Sequence, residues 1–61
     1  MKAAFIGAAL RTTRIARGLT QSELAEILGV HRVTINRWEN AAIGMHPAMR
    51  EKIERWIEGE S

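Results

Sequence analysis

Apolar residues recur along this chain at helical intervals, and no segment alternates in the two-residue rhythm of a strand. Phe5, Ile6, Ala9, Leu10, Thr13 and Ala16 make a wide, mostly apolar face for a first helix over about residues 3–17, with Gly18 as its stop. Leu24, Ala25 and Leu28 form the stripe of a second helix. Its start is marked by Thr20 followed three residues later by Glu23, the spacing in which hydroxyl and carboxylate each accept from the other residue's amide. Gly29 ends it at a corner shared with Val30, because that turn needs a backbone conformation that a side chain penalises. A third helix is predicted over about residues 32–39, with Ile35 and Trp38 inward and His31 in an N-cap place where Ser, Thr or Asp would be stronger. The stretch from Asn40 to His46 has no period and reads as a loop. Pro47 then opens a fourth helix over about residues 47–58. Met49, Ile53, Trp56 and Ile57 lie opposite its Arg50, Glu51, Glu54, Arg55 and Glu58, Glu51 pairs with Arg55 four residues on, and Gly59 ends it. The fold class expected is all-α, a compact bundle of four helices in a single domain spanning residues 1–61.

Helices two and three, joined by a glycine corner, carry bulky apolar residues only where two crossing helices touch. With Ile35 and Trp38 turned inward, Arg32, Val33, Asn36, Arg37 and Asn40 are left on the outer side of helix three. A rigid helix showing two guanidiniums, two carboxamides and a small apolar side chain has the chemistry to read base edges in a DNA major groove.

Length and composition narrow the classes. A chain of 61 residues buries only about 60% of the surface its unfolded form exposes, so its stability is marginal and a partner chain would help. There is no Cys, which removes disulfides and thiolate metal sites and fits a reducing cytosol. His31 and His46 are the only imidazoles and lack metal-binding spacing, so no metal or cofactor is expected. The apolar stretch from Ala3 to Leu10 between Lys2 and Arg11 faintly resembles a signal peptide, but its removal would delete the first helix. No run reaches the ~20 apolar residues of a membrane span. The net charge of +2 is unevenly placed: residues 1–37 hold six basic against two acidic residues, a net +4, and residues 38–61 hold three against five, a net −2. A basic front suits a protein that meets phosphate on one side. No nucleophile, base and orienting acid come together, and the chain lacks volume for a pocket, so an enzyme is not expected and no small-molecule ligand is evident.

Several spaced residues resemble a known family in one register: Leu10-Arg11, Arg14, Gly18-Leu19-Thr20-Gln21, Glu23-Leu24-Ala25, Gly29-Val30, Ile35 and Trp38-Glu39-Asn40. The chain is similar over roughly residues 6–40 to the helix-turn-helix repressors and Cro proteins of phages lambda and 434, also called the xenobiotic response element type. The resemblance implies that Gln21, at the amino end of helix two, contacts a DNA phosphate; the alternative is an ordinary exposed first-turn residue. It implies that Arg32 and Val33, with Arg37 a turn further on, read bases, and Asn36 lies on the same face. Arg suits guanine O6 and N7, and Val a thymine methyl. The alternatives are phosphate contacts alone for the arginines and a core place for Val33. His31, Thr34 and Asn40 are implied to lie along the phosphate backbone, where contacts position without specifying; a capping role for His31 stays open. Phosphate contacts by Lys2, Arg11 and Arg17 are weaker expectations than solvated charge. Arg14 and Glu39 occupy places where the family joins helix one to helix three by a buried ion pair.

Three departures from the family pattern stand out. Ala41 replaces a common Gly, so a left-handed turn is expected at Asn40 instead. Arg32 replaces a frequent glutamine, so no operator sequence carries over. One helix follows the loop where two are usual, so neither does a dimer geometry.

These readings converge on a transcriptional regulator of double-stranded DNA: a small cytoplasmic homodimeric repressor of a phage or mobile element, at the bacterial nucleoid or in a phage-infected cell, binding an inverted repeat. Trp56 and Ile57 are its candidate dimer surface, while Met49 and Ile53 read as core and Trp56 is divided between the two. The competing class is a protein-interaction adaptor, antitoxin-like or coactivator-like, that reuses the fold.

Overall fold

A computed structural model of the chain describes residues 6–41 and 44–59. They form four helices, α1 (Ile6–Ala16), α2 (Gln21–Leu28), α3 (Arg32–Asn40) and α4 (Pro47–Ile57), with no strand among the described residues. The expected elements are all present. Residues 3–5, placed at the start of the first helix by its periodicity, lie outside the described residues, as does Lys2.

The turns follow from the residues that make them. Gly18 and Gly29 take left-handed φ values of 71° and 75°. At each, the following residue's amide reaches back five residues, Leu19 to the Arg14 carbonyl at 3.1 Å and Val30 to the Ala25 carbonyl at 2.9 Å. Each bond gives a carbonyl in the last turn of its helix a second donor and closes the chain back on the helix end. A Cβ on Gly29 would meet nothing within 4 Å. The glycine is therefore required by backbone conformation, not by space. The start of α2 is the reciprocal cap expected: the Glu23 amide donates to Thr20 Oγ1 at 3.0 Å, and the Thr20 amide to Glu23 Oε1 at 2.8 Å.

Ile6, Leu10, Leu24, Ala25, Leu28, Ile35, Trp38 and Ile53 form one core, flanked by half-buried Val30, Met45, Met49, Trp56 and Ile57. Every helix contributes, and α3 packs against both α1 and α2. The apolar face expected for α1 is narrower than its periodicity suggests. Ala16 is exposed, and Gly7 is buried one position along from Ile6. Ile15 and Ile27 are also exposed. The left-handed turn expected at Asn40 is not there: Asn40 is the last residue of α3, and Ala41 has φ −138°. The Ala41 amide closes the helix on the Arg37 carbonyl at 2.8 Å, so a right-handed ending suffices without glycine.

Two cations fasten α4 to the rest. The Arg17 guanidinium donates to the Trp56 and Ile57 carbonyls at 2.8 and 3.2 Å and lies over the Trp56 ring, 4.4 Å from its centroid. Lys52 Nζ donates to the Leu28 carbonyl at 3.2 Å. Each places a positive charge at the negative end of another helix. This corrects the reading of Arg17 as solvated charge with phosphate as its other option. Arg17 faces the last carbonyls of α4, which a sequence pattern for α1 alone does not reveal. At the opposite end of α4, the Ala48 amide donates to Nδ1 of His46 at 3.0 Å, an N-cap hydrogen bond.

Candidate nucleic-acid interface

The orientation of α3 is set from its inner side. Ile35 is fully buried, and Trp38 and Glu39 are 7% and 5% exposed. Glu39 would be a costly residue to bury alone. Its carboxylate instead receives Arg14 Nε at 2.6 Å, Arg14 Nη2 at 3.2 Å and Gln21 Nε2 at 3.1 Å. Arg14 Nη1 in turn donates to the Leu19 carbonyl at 2.8 Å. One buried cluster thus ties the end of α1, the link to α2, the first residue of α2 and the end of α3. No polar side-chain atom buried within the described residues lacks a partner. The forked guanidinium matches the two carboxylate oxygens, so the joint fixes angle as well as distance.

With that side locked, Arg32, Val33, Asn36, Arg37 and Asn40 are all exposed and Thr34 is half-buried. Val33 is 60% exposed, which removes the core alternative for it. Neither Arg32 nor Arg37 forms a hydrogen bond or ion pair with a side chain among the described residues. Their fork suits a guanine edge and the Val33 methyls a thymine methyl.

Around this helix lie the residues expected along a phosphate backbone. His31 caps α3 with extended backbone, but its side chain makes no capping hydrogen bond, so the imidazole projects from an exposed position. Gln21 is half-buried, and its carboxamide is held by Glu39, where exposed freedom at the first turn was the alternative. Its backbone amide sits at the first helical position of α2, where N–H groups point outward and favour an anion. Asn40 turns its amide group back on Asn36, 2.7 Å from the carbonyl and 3.4 Å from Oδ1. Arg11 is exposed.

The candidate partner surface is elsewhere. Trp56 and Ile57 are both half-buried against the core. Ile57 lines a shallow groove between α1 and α4 with Ile6, Ala9, Arg50, Glu54 and Glu58. Arg50, expected opposite the apolar stripe, is half-buried at that groove.

A helix-turn-helix family model matches residues 10–49, about two thirds of the chain, from the middle of α1 through both joined helices to the first turn of α4. No curated protein and no solved structure matches. The matched segment contains Arg14, Gln21, the Gly29 corner, the exposed face of α3 and Glu39. The chain belongs to the Cro/C1-type helix-turn-helix family of DNA-binding regulators.

Proposed function

We propose that this chain is a small transcriptional repressor that binds an inverted repeat as a homodimer, with α3 in the major groove. Arg32, Val33, Asn36 and Arg37 contact bases. Gln21, His31 and Thr34 lie along phosphates, Gln21 through the backbone amide at its helix start, and Asn40 lies at the far end of that face. The observation that carries the reading is that one short helix buries Ile35, Trp38 and Glu39 while exposing two arginines around an exposed valine. Occupying the operator blocks transcription by occlusion. Two-fold symmetry places the half-sites about 34 Å apart, one turn of DNA. Trp56 and Ile57, half-buried beside the α1–α4 groove, are the proposed dimer contacts.

Selection from random duplexes, with sedimentation of the free and bound protein, tests this. The expected result is a two-fold-related motif occupied by two chains, lost when Arg32 and Arg37 are both replaced by Ala in a protein that still folds. An adaptor would lose no partner with that double variant and would select no motif.

A further inference from the structure

We propose that Val33 reads the C5-methyl group of one operator pyrimidine and nothing else of that base, so that 5-methylcytosine serves it as thymine does and cytosine methylation at that position raises affinity. This rests on the reading of α3 as the base-reading helix. Val33 is the one apolar side chain on the outward side of α3, which it shares with Arg32, Asn36, Arg37 and Asn40; Ile35 and Trp38 are buried and Thr34 is half-buried. A lone exposed valine needs no explanation on a protein surface. This one is the second residue of α3, in the turn whose side chains meet base edges when a helix-turn-helix docks, and it is 60% exposed.

In the major groove thymine shows the O4 acceptor and a C5-methyl group, and cytosine the N4 amino donor. The valine side chain carries neither donor nor acceptor, so it cannot tell O4 from N4. What it can do is cover a methyl group. 5-Methylcytosine carries that group at the same ring position, beside an unchanged N4. Methylating cytosine therefore supplies the contact that thymine supplies and alters no hydrogen-bonding group of the base pair. Burial of one such carbon corresponds to about fourfold in affinity for each half-site.

The test measures affinity of the full chain for duplexes built on its selected motif. Replacing each thymine in turn by uracil removes one methyl group and finds the position without any protein variant. At that position, thymine, uracil, cytosine and 5-methylcytosine are then compared, each opposite its complementary purine. The gain of thymine over uracil and the gain of 5-methylcytosine over cytosine should agree, at about fourfold for each half-site. In Val33→Ala, whose unfolding midpoint checks that it folds, both gains should shrink toward one. A motif in which no thymine depends on its methyl group would overturn the inference. So would 5-methylcytosine that binds no better than cytosine, or gains that persist undiminished in folded Val33→Ala. In each of these cases the reading of α3 stands if the Arg32 and Arg37 replacements still abolish recognition of the motif. A protein that selects no motif would overturn both.

Discussion

At the residue scale, exposure on α3 separates side chains that hold the domain from those that act outside it. Arg32 and Arg37 are exposed and make no side-chain bond among the described residues, so replacing either with Ala should leave the thermal unfolding midpoint nearly unchanged. Each replacement should weaken binding to the selected duplex by roughly 1–3 kcal/mol and relax the preference at one base pair, as a titration with mismatched duplexes would read. His31 gives the opposite case. Its side chain makes no cap bond at the start of α3, so His31→Ser should stabilise the fold by about 1 kcal/mol in thermal unfolding. The same change should reduce DNA affinity if the imidazole lies along a phosphate. Val33, Ile35 and Trp38 were assignable from spacing alone because a helix repeats faithfully over so short a span. Gln21 was not, because its hydrogen bond is to Glu39, eighteen residues away.

At the element scale, the domain is stabilised by joints between helix ends. The Arg14–Glu39 pair is nearly buried, with side-chain exposures of 12% and 2%, so Arg14→Ala strands a carboxylate. The cost should be about 3–5 kcal/mol, enough to unfold a domain of this size, and calorimetry or chemical denaturation would read it. Loss of DNA binding in that variant would follow from unfolding, not from a missing DNA contact. Arg17→Ala removes the cation from the end of α4 and from over Trp56, for a smaller loss of about 0.5–1 kcal/mol. Hydrogen exchange should show that loss concentrated in α4. The ends of α1 and α2, the reciprocal cap and the glycine corner were legible in sequence because each is written within a few neighbouring residues. The attachments of α4 through Arg17 and Lys52 were not, because they depend on where distant helix ends come to rest. Nor was the engagement of Asn40: a glycine-replacing alanine suggested a left-handed turn, but an ordinary helical ending with a side chain folded back on Asn36 satisfied the same groups.

At the scale of the whole molecule, charge is divided by fold as well as by sequence. The clasps take Arg17 and Lys52, the buried pair takes Arg14, and α4 pairs Arg50 with Glu54 and Arg55 with Glu51. Arg11, Arg32 and Arg37 remain among the described residues without such a partner, and all three precede the acidic part of the chain. A small set of cations facing phosphate should give a log–log salt dependence with a slope of about −0.9 for each phosphate neutralised, and removing one such cation should lower the slope by about one. The most direct test of α3 as the reading head is amide and side-chain NMR mapping of the labelled protein on titration with its selected duplex. Shifts and intermolecular contacts to base protons should concentrate on Arg32, Val33, Asn36 and Arg37, with weaker changes at the start of α2. Changes confined to α4, with those four residues unmoved at saturation, would contradict it.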